Sequence, residues 1–182
     1  MGLGKTVRLQ RLFSHCYGRM CTVAVDHFLG YPGLADLPRT IAAIAAGIPD
    51  AVTMNKGVAL RCWGPFAGRI PLIIQSLAAR PDDTADELIA TPEDAIRIGA
   101  DAIAICSFVR GASEAVHVRR VADLVRQAEM WDLPVILHTY PRRFGPEGVE
   151  ISFDPDDVAW AVRCGIEVGV DVIKAPYCGD VA

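Results

Sequence analysis

The sequence predicts an α/β fold in which buried parallel strands alternate with helices. Apolar residues make up 52% of the 182-residue chain, and its mean hydropathy is +0.28. Ala, Ile, Val and Leu supply most of this content, which suits strands that helices cover. Short apolar runs also alternate with segments that carry helix-start signals. This order predicts consecutive βα units rather than separate all-α and all-β parts.

One supersecondary pattern occurs three times along the chain. A helix end is followed by Gly, by Asp two or three positions later, and by a short apolar strand, at residues 46–53, 98–104 and 168–174. The Gly suits the left-handed conformation just past a helix end. Two more strands are predicted to start around a Pro, which is tolerated at a strand start. These two strands lie at residues 70–75 and 133–138. A further apolar run at residues 21–26 brings the number of predicted strands to six.

Helix signals fill the intervals between the predicted strands. Thr91 and Asp154 each precede a Pro, which places a capping residue before Pro at the first helical position. We predict helices at residues 36–46, 92–99, 113–131 and 154–168, with longer loops at about 55–69 and 140–153. No linker or low-complexity segment divides the chain, so residues 1–182 are expected to form one domain.

Six strands are compatible with two architectures. One is a (β/α)8 TIM barrel of which about the first six βα units are present, since the closed barrel needs eight strands and about 250 residues. The other is an open, doubly wound six-stranded sheet. The alternation of strands and helices does not decide between them.

Composition excludes several classes of function. A formal net charge of −4 argues against general nucleic-acid binding, which requires clustered Lys and Arg, but leaves room for a small phosphorylated substrate. No apolar run approaches the roughly 18 residues that span a bilayer. None of the six cysteines forms a Cys-x-x-Cys pair, and Cys21 and Cys106 are expected to be buried thiols. We therefore expect a reduced, cytoplasmic setting without a disulfide framework or zinc site.

Lys174 is the strongest candidate for chemistry. It is one of only three lysines, and it ends a predicted apolar strand, where functional sites of parallel α/β folds gather. Desolvation there would lower the pKa of its amine and make it nucleophilic. The alternative is a lysine that extends from the strand end into water. Lys56 competes for the role, but Asn55 and Gly57 beside it indicate an exposed turn.

Other polar residues follow strand ends in the same way. Asp26, at the end of strand 1, could transfer protons or orient hydroxyl groups, or could cap a turn. His138 and Tyr140 point to one face of strand 5 because side chains alternate along a strand. Tyr140 could exchange protons beside a lysine, or plug the rim of the fold. Arg142 and Arg143 could bind a phosphate or form a solvated pair.

Two remaining patterns are not expected to carry chemistry. Residues 2–6 (GLGKT) imitate the end of a phosphate-binding loop, but the preceding strand and the first glycine of that motif are absent. His15 and His117 lack partners at ligand spacing, and we predict that both lie on the surface.

Together the strand-end residues resemble the archaeal-type class I fructose-bisphosphate aldolase family. That group is similar to the autoinducer-2 processing thiolase and to a transaldolase-like aminodideoxyheptulosonate synthase. The resemblance spans essentially all 182 residues, in matching order. Its pieces are residues 8–13 (RLQRLF), 25–27 (VDH), 139–142 (TYPR), 170–174 (VDVIK) and 177–180 (YCGD).

The resemblance implies a (β/α)8 barrel and a Schiff base on Lys174, with Tyr140 as acid/base and Asp26 assisting proton transfer or holding the substrate. It implies reversible cleavage of a phosphorylated ketose, such as fructose 1,6-bisphosphate, into dihydroxyacetone phosphate and an aldehyde. The protonated imine is the electron sink, so neither a metal nor a cofactor is expected. We expect His27, His138 and Arg142 to contact the substrate, and the protein to form homo-oligomers.

The sequence departs from the family pattern at Phe28 and Arg143, where the family usually has Gly, and strands 7 and 8 are not found. Two kinds of alternative therefore stay open. One is the related thiolase or transaldolase-like chemistry on the same lysine. The other is a degenerate, non-catalytic barrel piece that acts in assembly; a phosphate-binding isomerase barrel fits less well, because it would not need Lys174 with Tyr140.

Overall fold

The computed structural model describes residues 2–27 and 36–179. In chain order, the elements of the first half are α1 (Leu3–Leu12), β1 (Thr22–Ala24), α2 (Leu37–Ala46), β2 (Ala51–Asn55), α3 (Lys56–Cys62), a 3-10 turn (Gly64–Phe66), β3 (Leu72–Gln75), β4 (Leu77–Ala79) and β5 (Asp86–Leu88). Those of the second half are α4 (Pro92–Ile98), β6 (Ala102–Val109), α5 (Glu114–Glu129), β7 (Val135–Gly145), β8 (Gly148–Ile151), α6 (Pro155–Val168) and β9 (Val172–Lys174).

Six strands pair in parallel in the order β1-β2-β3-β6-β7-β9. The spatial order follows the chain order without the reversal that defines a doubly wound sheet. It is the order of successive units in a (β/α)8 barrel, and the predicted partial barrel of six βα units is confirmed. No helix within residues 2–27 and 36–179 is both long and apolar enough to cross a membrane.

The central parallel strands β2, β3 and β6 bury both of their faces, which explains their nearly continuous apolar sequences. The outer face packs against the helices through residues such as Val52, Met54 and Leu137. The inner face forms a second cluster that includes Ile73, Ile136 and Leu12 of α1. Because α1 fills the end of the sheet where the strands begin, the opposite end, where they finish, is left to carry the site.

The repeated Asp binds the start of the neighbouring strand, which gives the sequence pattern a structural cause. Each Asp carboxylate accepts a hydrogen bond from one backbone N–H. The same Asp also donates its own backbone N–H to the carbonyl of that residue. The carboxylate contacts are Cys21 N to Asp50 at 2.6 Å, Leu72 N to Asp101 at 3.3 Å and Val135 N to Asp171 at 2.8 Å. Strand starts and helix ends are thereby held together.

Glycine takes the left-handed position after the helix in two of the three repeats, as predicted. Gly99 and Gly169 have φ angles of 81° and 83°. In the first repeat the prediction is wrong: Gly47 has a φ of −77°, and Ile48 adopts the positive φ of 51° instead. The one extra residue between Gly47 and Asp50 moves the chain reversal one position along.

Three further elements correct the sequence-based assignment. The predicted loop after strand 2 contains α3, which begins at Lys56 itself, so Lys56 does not lie in an exposed turn. The predicted loop after strand 5 is a hairpin, because β7 continues to Gly145 and pairs antiparallel with β8. A second antiparallel hairpin, β4–β5, follows β3. Cys21 is exposed rather than buried, since it precedes β1 at the edge of the sheet.

Candidate active site

A cavity of about 590 Å³ opens where the parallel strands end. Among the residues that line it are Asp26, His27, His138, Tyr140 and Lys174, five of the six residues to which the family resemblance gives a role. They come from the ends of β1, β7 and β9, so they meet only because parallel strands bring their carboxyl ends together. The cavity also takes in residues that sequence reasoning did not select, namely Gln75, Cys106, Phe108 and the hairpin residues Leu77–Pro81 and Ala85.

Strand register explains which side chains share the cavity. His138 lies opposite Lys174 on one side and opposite Cys106 on the other. Two residues along β7, and so on the same face, Tyr140 lies opposite Phe108. The rings of Tyr140 and Phe108 are stacked, with centroids 5.7 Å apart. The phenol is therefore held by an aromatic neighbour at the same level of the sheet.

Of the three lysines, only Lys174 lines this cavity. Lys5 forms an ion pair with Asp171 at 3.0 Å at the opposite end of the sheet, and Lys56 forms one with Asp94 at 3.0 Å outside the cavity. Lys174 is exposed, because β9 pairs on one side with β7 and no described strand covers its other side. Its amine is accessible to a small molecule in the cavity.

Asp26 is held by a residue that the sequence analysis missed. The Gln75 side-chain amide donates a hydrogen bond from Nε2 to Asp26 Oδ2 at 2.8 Å, and its Oε1 accepts one from Leu77 N at 3.2 Å. The second bond fixes which end of the amide faces the carboxylate. Gln75 is a buried polar residue that ends an apolar strand, so the rule that selected Lys174 would also have selected it.

Burial sets the protonation of the cavity's other titratable groups. Desolvation, with the Lys174 charge nearby, lowers the pKa of His138 to about 4, so its imidazole is neutral at pH 7. Desolvation, with Cys106 and Asp26 nearby, raises the pKa of Tyr140 to about 12. Tyr140 therefore holds its proton at rest. Burial also raises the pKa of the Cys106 thiol to about 12, which leaves it a neutral wall of the cavity.

Arg142 does not face the cavity as expected for a substrate contact. Its side chain is fully buried, and its guanidinium binds Asp83 at 2.9 and 3.0 Å, Pro81 O at 2.9 Å and Arg110 O at 2.9 Å. All of these partners belong to loops beside the site. Arg142 thus ties the turn of the β4–β5 hairpin to the end of β6. It fixes the position of the cavity wall and does not face a ligand in the cavity.

His117 is buried, so its predicted surface position is wrong. Its Nε2 lies 3.1 Å from Asp83 Oδ1, and this contact joins α5 to the same turn that Arg142 holds. Because a carboxylate can only accept, the His117 proton lies on Nε2, and Nδ1 has no hydrogen-bond partner within the described residues.

His27 is half exposed at the cavity rim, with its Nδ1 4.0 Å from Asp26 Oδ1. Arg143 lies outside the cavity, on the exposed side of β7, and pairs with Asp154 at 3.0 Å. Phe28, where the sequence departs from the family pattern, and Asp180, which belongs to one of the matching segments, lie outside the described residues.

Comparison with known proteins identifies the family of the chain. The model of the DeoC/LacD family aldolases matches residues 13–182. A 2-amino-3,7-dideoxy-D-threo-hept-6-ulosonate synthase from Halobacterium salinarum is 35% identical over 97% of this chain. A class 1 fructose-bisphosphate aldolase from Thermoproteus tenax is 28% identical over 96% of it. This chain spans 66% of the synthase and 68% of the aldolase.

Solved structures agree on the fold. An archaeal fructose 1,6-bisphosphate aldolase superposes with a TM-score of 0.78 at 26% identity, covering 97% of this chain and 71% of the other. Another archaeal fructose-1,6-bisphosphate aldolase, whose catalytic Lys is covalently bound to the carbinolamine intermediate of its substrate, superposes with a TM-score of 0.76 at 27% identity. That match covers 97% of this chain and 72% of the other.

Proposed function

Because the chain belongs to the DeoC/LacD aldolase family, we propose that it carries out Schiff-base aldol chemistry with Lys174 as the nucleophile. The observation that carries the proposal is that Lys174 alone of the three lysines lines the cavity, which it shares with Tyr140 and Asp26. An amine, a protonated phenol and a carboxylate are the groups that imine formation and proton transfer require.

In the proposed cleavage, the neutral Lys174 amine attacks the ketone carbon of the substrate and forms a carbinolamine. The Tyr140 phenol donates its proton to the carbinolamine hydroxyl, which leaves as water and yields a protonated imine. The Tyr140 phenolate then takes the proton of the hydroxyl at the bond to be cleaved. The carbon–carbon bond breaks, its electron pair passes into the imine to give an enamine, and the aldehyde departs.

The raised pKa of Tyr140 suits both of its proposed steps. A phenol with a pKa of about 12 is protonated when the carbinolamine forms, and its conjugate base is strong enough to accept a hydroxyl proton. Protonation of the enamine and hydrolysis of the new imine then release the second product and restore Lys174. Asp26, held by Gln75, would accept hydrogen bonds from substrate hydroxyls.

For the substrate we propose a phosphorylated ketose, with fructose 1,6-bisphosphate as the first compound to test. The assay is release of dihydroxyacetone phosphate by the full chain, compared with Lys174→Met and with Lys56→Met as the matched control. We expect Lys174→Met to be inactive and Lys56→Met to retain activity, because Lys56 lies outside the cavity. Equal loss in both variants would contradict the assignment.

A second candidate is a condensation of the kind named for the relatives. One of them, a 2-amino-4,5-dihydroxy-6-oxo-7-(phosphonooxy)heptanoate synthase, is 28% identical over 98% of this chain. Aldol disconnection of that product between its two hydroxyl-bearing carbons gives dihydroxyacetone phosphate and 2-amino-4-oxobutanoate. Supplying this amino aldehyde in place of glyceraldehyde 3-phosphate separates the candidates. Acyl transfer to coenzyme A, without aldehyde formation, would favour the thiolase alternative.

Proposals for the setting of the protein follow from its thiols and its relatives. Within the described residues, Cys16, Cys21, Cys62, Cys106 and Cys164 are free thiols, which suits a reducing compartment such as the cytoplasm. A homo-oligomer remains our expectation, and light scattering of the purified full chain would measure its subunit number.

A further inference from the structure

The cavity holds one charged side chain that the proposed chemistry does not use. Among the described residues that line it, the carboxylate, guanidinium and amine groups belong to Asp26, Arg80 and Lys174, and His138 is neutral at pH 7. Lys174 is consumed in the imine and Asp26 is a carboxylate. Arg80 is therefore the cation left to meet a negative charge on a ligand.

The Arg80 guanidinium is accessible to solvent. Arg80 is exposed, and no side chain within residues 2–27 and 36–179 forms a hydrogen bond or ion pair with it. Its acidic neighbour Asp82 attracts the guanidinium electrostatically, but Asp82 Oδ1 accepts its hydrogen bonds from Thr84 N at 3.1 Å and Thr84 Oγ1 at 2.7 Å. The guanidinium can thus bind an incoming anion without first breaking a hydrogen bond to a described side chain.

The backbone at Arg80 is fixed although its side chain is not. Arg80 N donates to Ala85 O at 2.9 Å, and Arg80 O accepts from Asp83 N at 3.1 Å. Asp83 is in turn bound by the buried Arg142 and by His117. The root of the Arg80 side chain is therefore anchored to β7 and α5, which lowers the entropic cost of binding through it.

Arg80 and Lys174 enter the cavity from different walls. Lys174 ends β9, whereas Arg80 lies in the hairpin that follows β3, three strand intervals away in the sheet. At about 4.8 Å per interval this is roughly 14 Å along the sheet, and less across its curved inner face. Two long side chains shorten the gap further, so an extended sugar chain joined to Lys174 can direct its far end to Arg80.

We propose that Arg80 recognises the anionic group at the aldehyde end of the substrate. Its planar fork suits both a phosphate and a carboxylate. This rests on the proposed function and adds to it, because it names the residue that would distinguish charged from uncharged aldehyde partners. A phosphorylated aldehyde and 2-amino-4-oxobutanoate carry these two anions, so the charge on the aldehyde is the shared feature.

The test uses protein whose Lys174 has been converted with dihydroxyacetone phosphate and borohydride to the reduced adduct, so that the ketone half of the site is filled. D-Glyceraldehyde 3-phosphate, D-glyceraldehyde and 2-amino-4-oxobutanoate are titrated into this adduct by calorimetry. The variants are Arg80→Met, Arg80→Lys and the control Arg119→Met, which removes an equal charge from the exposed face of α5.

We expect Arg80→Met to weaken binding of an anionic aldehyde by about tenfold or more, with Arg80→Lys intermediate. D-Glyceraldehyde should bind Arg80→Met and the unsubstituted protein alike, and Arg119→Met should change nothing. The aldehyde that responds identifies the anion as phosphate or carboxylate. Unchanged affinities in Arg80→Met, or equal weakening of charged and uncharged aldehydes, would overturn the assignment.

Failure of the proposed function gives a different result. If Lys174 forms no adduct, the same titrations on untreated protein still measure anion binding by Arg80. Weaker binding of the anionic aldehydes to Arg80→Met would then support anion binding by Arg80 but not the Schiff base. Unchanged binding would overturn anion binding by Arg80, whatever Lys174 does.

Discussion

Arg142 binds both carboxylate oxygens of Asp83, at 2.9 and 3.0 Å, through one guanidinium nitrogen. The two residues lie 59 positions apart in the chain, and their pairing ties the β4–β5 turn to β7. The guanidinium also binds backbone carbonyls of Pro81 and Arg110. A residue that the sequence pattern suggested for phosphate binding is therefore the anchor of the wall that faces the site.

Arg142→Met should destabilise the protein by about 3 kcal/mol, because it removes the cation paired with Asp83 and the donor to the Pro81 and Arg110 carbonyls. Urea unfolding followed by circular dichroism measures the change. Arg143→Met is the matched control. The adjacent Arg143 is itself exposed and pairs with Asp154 at 3.0 Å and with Asp157 at 3.6 Å, so its loss should cost less than about 1 kcal/mol. Equal losses for the two variants would show that Arg142 is not an anchor.

Removal of the Gln75 amide should affect turnover more than binding. Gln75→Leu keeps the apolar bulk of the side chain but frees Asp26 from its 2.8 Å contact, so kcat is expected to fall about tenfold with little change in KM. Gln75→Glu places a second carboxylate beside Asp26 and should shift the acid limb of the pH–rate profile upward. A profile unchanged in Gln75→Glu would argue against a positioning role.

His138 makes the stability of the protein depend on pH. Its folded pKa of about 4 lies below the ordinary value of 6.5, so between these values the unfolded chain binds more protons than the folded one. The contribution is complete above about pH 6.5 and is lost as the pH falls toward 4. Across this window the free energy of unfolding should rise with pH, with a slope that corresponds to the uptake of up to one proton on unfolding. His138→Gln should remove this slope. The same slope in the variant would assign it to other groups.

The main features of the site followed from the sequence because they depend on local rules. Strand ends gather in parallel folds, and side chains alternate along a strand. These rules place Lys174, Tyr140, His138 and Asp26 at one end of the sheet, where they line one cavity. Gln75 satisfies the same rules and was overlooked because an amide carries no charge.

The roles of Arg142 and His117 could not be predicted in this way. Both depend on the β4–β5 hairpin, which returns the chain between two parallel strands and brings Asp83 to them from far along the sequence. The pattern of apolar and polar residues within β7 or α5 does not predict a contact with Asp83. The helix at Lys56 was likewise obscured because the residues around it, Asn55 and Gly57, are typical of turns.

The central claim is that Lys174 forms a Schiff base, and its most direct test is borohydride trapping. The full chain is incubated with dihydroxyacetone phosphate and borohydride, and peptide mass spectrometry locates the reduced adduct. We predict one adduct, on Lys174, that is absent from Lys174→Met and retained in Lys56→Met. An adduct on Lys5 or Lys56, or none with several carbonyl substrates offered to the folded protein, would contradict the account.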